Sequence, residues 1–332
     1  MWRNSWETKR FFNQPAVDVT AQRDYCHIMP DEPNPSPRQT LSYIKGLLHT
    51  RRLIPKNKMG QNFLIDLNLV DMVVRTAELS REDCVLEVGT GTGSLTTRLA
   101  DQAGGVFTVE LDPEFYEMSR QLLAARPNVR QLHGDALAGK NRLNPHLVSG
   151  WEAFAAERGL QRRKLVANLP YAIATPLVAN LLIAGLAIER LVVMLQWELT
   201  ERMIAVPGTK DYGALAVLMQ SIADISVVRR IAPTNFWPRP EVDSAIVLIK
   251  PNAEKAKRVP DLPAWRAFLR DLYTQRRKNL RQALSGWPQG RKDKSEVDAK
   301  LAELGIEGST RAEALDVEHH LRLCAAFGTS DE

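Results

Sequence analysis

The decapeptide Val85-Leu86-Glu87-Val88-Gly89-Thr90-Gly91-Thr92-Gly93-Ser94 decides the fold class. A short apolar run ends in three alternating glycines, and Ser94-Leu95-Thr96-Thr97-Arg98-Leu99-Ala100 then continues with helical character. Glycines between a strand and a helix let the backbone turn sharply and admit a ligand against bare main chain. A dinucleotide fingerprint requires glycine at 94, where this chain has Ser94, so an NAD-type site fits poorly. The spacing E-x-G-x-G-x-G instead suits a nucleoside ligand without a pyrophosphate. Further along, Val106-Phe107-Thr108-Val109 ends in Glu110, which is placed to accept hydrogen bonds from a ribose diol at a sheet edge. The next unit, Val129 to Ala136, offers Asp135 as an acceptor for an adenine amino group. Glycine turn, Glu110 and Asp135 in succession favour S-adenosylmethionine as the ligand, with S-adenosylhomocysteine as its product.

The surrounding pattern repeats. Val85 to Val88, Val106 to Val109, Lys164 to Ala167 and Arg190 to Leu195 are short apolar runs alternating with helical stretches. This is the pattern of a parallel sheet covered on both faces, an α/β, Rossmann-like domain over about residues 40–250. Helices are expected from Thr40 to about Leu53 and from Asp66 to Ala77, and a late strand at Ala245 to Ile249. Residues 1–39, ending in a proline-rich run, are expected to be a flexible extension outside the fold. Residues 251–263 read as a charged, proline-bounded linker. Beyond it, Trp265 to Leu284, Val297 to Leu304 and Val317 to Phe327 read as helices of a small all-helical domain over 264–328.

After the Lys164 to Ala167 strand comes Asn168-Leu169-Pro170-Tyr171. An exocyclic amino group on adenine is a poor nucleophile, because its lone pair is delocalised into the ring. An Asn oxygen and a backbone carbonyl can accept its two N–H bonds and aim the lone pair at a methyl group. Pro170 fixes the bend without a competing donor, and Tyr171 can stack on the purine. In-line displacement from an activated sulfonium needs positioning more than a strong base, so neither a Ser/His/Asp set nor a metal site is expected. A second aromatic element, Asn235-Phe236-Trp237-Pro238-Arg239-Pro240, is stiffened by prolines and can present Phe236 or Trp237 as a second stacking face, with Arg239 near phosphate.

Composition sets the context. At 332 residues, 44% hydrophobic and 25% charged, the chain is long enough for a full core, which excludes disorder and fibre. It has no apolar run of membrane-spanning length and no secretory leader, so a cytoplasmic protein is expected, with Cys26, Cys84 and Cys324 as reduced thiols. The net charge of +5 is unevenly spread: Arg229 to Lys294 holds sixteen Lys and Arg against six Asp and Glu, leaving 28 basic and 33 acidic residues elsewhere. One basic stretch on an otherwise acidic chain is the footprint of a polyanion partner. His133, His319 and His320 read as surface histidines rather than metal ligands or acid–base groups.

Together with Lys58-Met59-Gly60-Gln61-Asn62-Phe63-Leu64-Ile65-Asp66, Gln196-Trp197-Glu198, Tyr212-Gly213-Ala214-Leu215, Val242-Asp243-Ser244-Ala245 and Gln275-Arg276-Arg277-Lys278-Asn279-Leu280-Arg281, these motifs resemble the KsgA-type rRNA adenine N6,N6-dimethyltransferase family over about residues 55–327. The resemblance implies dimethylation of two adjacent adenosines near the 3′ end of small-subunit rRNA, in a late assembly intermediate; a monomer is the default expectation. It also implies cofactor contacts at Asn62, Leu64, Gly89, Gly91, Glu110, Asp135 and Asn168. The catalytic loop would be Asn168, Leu169, Pro170 and Tyr171, with Phe236 preferred over Trp237 as the partner ring. RNA contacts fall on Arg239, Arg276, Arg277, Lys278 and Arg281, the last four expected on one helix. The stretch including Trp151 to Arg163 and the N-terminal extension depart from the family pattern. A large-subunit, antibiotic-resistance type methyltransferase shares the glycine turn, but Gln275 to Arg281 and Arg311 to Leu315 match the small-subunit type. A non-catalytic assembly factor would have no physical need for Glu110, Asp135 and Asn168 together.

Overall fold

The computed structural model describes residues 39–56, 59–286 and 293–328. Of the expected extension over residues 1–39, residues 1–38 with Cys26 lie outside the described residues, and Gln39 Nε2 donates to Thr92 O at 2.9 Å. The elements run α1 (Leu41–Thr50), β1 (Phe63–Leu64), α2 (Leu67–Thr76), β2 (Asp83–Val88), α3 (Ser94–Gln102), β3 (Gly105–Glu110), α4 (Pro113–Leu122), β4 (Val129–His133), β5 (Leu137–Gly139), β6 (Arg142–Leu143), α5 (Pro145–Glu157), β7 (Arg162–Asn168) and α6 (Tyr171–Ile183). They continue with β8 (Ile188–Gln196), α7 (Trp197–Ile204), α8 (Ala214–Gln220), β9 (Ala223–Ile231), β10 (Phe236–Trp237), β11 (Ser244–Pro251), α9 (Ala253–Ala256), α10 (Leu262–Thr274), α11 (Leu280–Leu284), α12 (Lys294–Glu303) and α13 (Val317–Phe327).

Seven strands form one sheet in the order β4-β3-β2-β7-β8-β11-β9. The first five are parallel, β11 runs antiparallel between β8 and β9, and helices cover both faces. This is the expected Rossmann-like α/β architecture. Strands β2 and β3 are buried along their whole length, which is why they read as apolar runs rather than alternating ones. Chain order reverses between β2 and β7. Open α/β sheets bind ligands at such a switch point, outside the carboxyl ends of the strands. Gly89 leaves β2 there, Glu110 ends β3, Asp135 follows β4 and Asn168 ends β7. The stretch around Trp151 is the crossover helix α5, and Trp151, Phe154 and Ala155 are buried in the main core.

Three expectations need correction. The helix expected over Trp265 to Leu284 is two helices, α10 and α11, interrupted at the polar run Thr274 to Asn279. Long-range bonds replace helical ones there: Leu280 N–H donates to Thr310 O at 2.8 Å, and Asn279 caps α11 by accepting from Gln282 N–H. Second, the linker is a packed connection: Asn252 caps α9, and Val259 is buried in a core shared by Tyr212, Val217 and Leu218 with Trp265, Phe268 and Leu280. Third, His320 is fully buried. Its Nδ1 donates to Asp316 O at 2.7 Å, its Nε2 faces the Tyr273 hydroxyl at 3.2 Å, and burial pushes its pKa down to about 4. His133 is exposed and stacks on Tyr116.

Candidate active site

A cavity of about 380 Å³ opens at the switch point. Of the residues expected to hold the cofactor or target, Asn62, Leu64, Gly89, Gly91, Glu110, Asp135, Asn168 and Pro170 all line it. Its volume falls in the range of small-molecule sites. Gly89 and Gly91 have φ of +89° and +54°, conformations that favour glycine. A Cβ at Gly91 would sit 3.0 Å from the ring of Phe63, which also lines the cavity, so a side chain there would crowd the wall.

Glu110 is 7% exposed. One carboxylate oxygen accepts from Gly91 N–H at 2.8 Å and the other from Asp112 N–H at 2.9 Å. Burial raises its pKa, and those backbone donors oppose the rise. The carboxylate therefore braces the glycine turn as well as lining the cavity. Asp135 is exposed; its Oδ1 caps Leu137 N–H at 2.9 Å, which leaves Oδ2 for a ligand. Asn168 Nδ2 donates to Asn62 O at 2.8 Å. That bond fixes the amide with Oδ1 as the acceptor left for an incoming N–H.

Around the cavity, bonds between segments distant in sequence hold the wall in place. Asp112 is fully buried, caps α4, and takes Gln61 Nε2 at 3.0 Å and Lys56 Nζ at 2.9 Å. These bonds tie the segment before β1 to the end of β3. Beneath the turn, Glu87 accepts from the Thr96 hydroxyl at 2.6 Å, and Thr90 and Thr108 share a hydroxyl pair.

The aromatic residues divide. Tyr171 opens α6 half-buried, with its hydroxyl 2.8 Å from Ser244 Oγ. Phe236 is 3% exposed and packs in a core cluster with Leu64 and Met194, because the β1·β10 ladder pairs it with Leu64 and turns it inward. As placed, it is not a face open to a base, which corrects the expectation of a second stacking ring there. Trp237 is partly buried against α1, with Lys45 Nζ 5.7 Å from its ring centre. Leu169 is buried in the main core.

The family model for ribosomal RNA adenine dimethylase matches residues 54–327. The chain belongs to this family. Among relatives of the ribosomal RNA adenine dimethylase family, the ribosomal RNA small subunit methyltransferase A of Moorella thermoacetica is 38% identical over 85% of this chain and 94% of its own length. That of Halothermothrix orenii is 37% identical over 78% and 84%. Among solved structures, a dimethyladenosine transferase from Plasmodium falciparum shares the fold at TM-score 0.64 and 24% identity, covering 79% of this chain and 96% of that one. The 23S rRNA methyltransferase ErmE matches at TM-score 0.56 and 26% identity, over 81% and 100%.

On this dimethylase the basic residues form two groups. Arg276 donates to Glu313 at 2.7 Å and to Lys210 O at 2.5 Å, and Arg281 pairs with Asp298 at 2.6 Å. Arg277 and Lys278 are exposed on the turn between α10 and α11, and their side chains have no hydrogen-bond or ion-pair partner among the described residues. The four therefore do not share one helix, which corrects the expectation from sequence. Arg239 is exposed beside β10.

Proposed function

We propose that this enzyme uses S-adenosylmethionine to dimethylate N6 of two adjacent adenosines near the 3′ end of small-subunit rRNA, within a subunit assembly intermediate and as a monomer. The observation that carries the reading is the Asn62–Asn168 bond, which leaves Asn168 Oδ1 as an acceptor on the cavity wall. When bound, the cofactor supplies a methyl group already activated on a sulfonium. Glu110 accepts the ribose hydroxyls, Asp135 Oδ2 accepts the adenine amino group, and the bare backbone at Gly89 and Gly91 gives room for the methionine portion. Asn168 Oδ1 takes one N–H of the target amino group and turns its lone pair toward the methyl. Tyr171 supplies the ring on which the extruded base rests. Transfer leaves a positively charged nitrogen, whose extra proton is lost to water without a dedicated base.

The test is transfer from labelled S-adenosylmethionine to unmodified small subunits, with large subunits and naked rRNA in parallel and nucleosides read by mass spectrometry. N6,N6-dimethyladenosine confined to small-subunit rRNA is expected. Label in large subunits would move the reading to the ErmE type, and binding without label to a non-catalytic factor.

A further inference from the structure

The Val242-Asp243-Ser244-Ala245 stretch lies outside the cavity wall, yet it reaches the reaction loop. Ser244 is 1% exposed and begins β11, where it is paired on both flanks, with Gln196 of β8 and Ile231 of β9. Its Oγ lies 2.8 Å from the Tyr171 hydroxyl, across 73 residues of sequence. Tyr171 is the first residue of α6, behind the Pro170 cap. The ring is thus held at both ends: its Cα by a helix start and its hydroxyl by a serine fixed between two strands. Burial pushes the phenol pKa up, so the hydroxyl stays protonated.

We infer that Ser244 is a positioning residue that locks the Tyr171 ring as a fixed platform and keeps the target adenosine seated between its first and second methylations. This rests on the reading that Tyr171 faces the target base. Two methyl groups must reach one nitrogen, and spent cofactor must be exchanged between the transfers. A ring free to rotate must be ordered again each time a base settles on it, and ordering one side chain shifts affinity by up to about tenfold. Asp243 holds its neighbour in the same way: it pairs with Arg230 at 2.6 Å, and the Arg230 guanidinium lies 4.4 Å from the Trp197 ring centre.

The experiment compares Ser244→Ala, Tyr171→Phe, the double variant and Tyr171→Ala in the full chain on unmodified small subunits. It reads kcat, KM for the subunit, S-adenosylmethionine affinity, Tm, and the ratio of N6-methyladenosine to N6,N6-dimethyladenosine. Ser244→Ala and Tyr171→Phe should each raise KM by about tenfold, accumulate the monomethyl product and leave cofactor affinity unchanged. Because both remove the same bond, the double variant should be no worse than either single one. Multiplying effects, or wild-type product ratios in both single variants, would overturn the inference. Tyr171→Phe interrogates the bond from its other end should Ser244→Ala fold poorly. A crippled Tyr171→Ala beside wild-type Ser244→Ala and Tyr171→Phe removes only the positioning role. Wild-type transfer by Tyr171→Ala removes the stacking reading itself, and the inference with it.

Discussion

Glu87 and Glu110 bracket the glycine turn on adjacent strands, and burial raises the pKa of both. Glu87 is pushed up to about 8 by complete burial, against hydrogen bonds from Thr96 and Thr108. Its folded form therefore binds a proton that the unfolded chain has released, so stability falls as pH rises from about 4.5 toward 8. Glu87→Gln should flatten that dependence: Tm of the wild type should drop relative to the variant between pH 5 and 8 (roughly 1.4 kcal/mol per pH unit at most). For Glu110 the consequence is in binding. Its ionised form accepts the ribose diol, so cofactor affinity should weaken on acidification, and Glu110→Gln should cost about ten- to a hundredfold by calorimetry. Asn168→Ala should lower single-turnover transfer by about a hundredfold or more while cofactor affinity changes less. Glu110 and Asp135 could be placed at the sheet edge from the sequence because Glu110 closes the apolar run of β3 and Asp135 comes two residues after β4. The Asn62–Asn168 bond spans 106 residues and was not, since neither local pattern encodes its partner.

Among the elements, the turn between α10 and α11 separates fastening from exposed charge. Arg276 and Arg281 tie it to Glu313 and Asp298, whereas Arg277 and Lys278 project unpaired. Replacing Arg277 and Lys278 by Glu should lower the slope of log K against log salt for RNA binding by about two phosphate contacts. Arg276→Gln should leave that slope in place and lower Tm instead. An unchanged slope in the first variant would exclude this turn from the phosphate contacts. Amphipathic periodicity carried the sequence reading up to Tyr273 and resumed it at Leu280, but could not register the break. A run of charged residues is compatible with an exposed helix, and only the bonds to Thr310 and Gly308 impose the turn.

At the scale of the molecule, the parallel sheet was readable because its buried strands are plain apolar runs, whereas the division into two domains was drawn at the wrong kind of boundary. Polar, proline-bounded sequence at 251–263 resembles a linker, yet Tyr212, Ala216, Val217 and Leu218 on the far side of it complete the core of the C-terminal helices. Leu218→Ala should cost about 2–5 kcal/mol and shift one cooperative transition rather than the first of two, as calorimetry would report. Truncation at 251 should leave those residues exposed and the remainder prone to aggregation. The shared core also limits recombination: the helical tail is not a portable module. A chimera that joins it to another catalytic sheet would have to take the donor's Tyr212 to Ile222 segment as well, so exchanging the tail means exchanging part of the sheet domain with it.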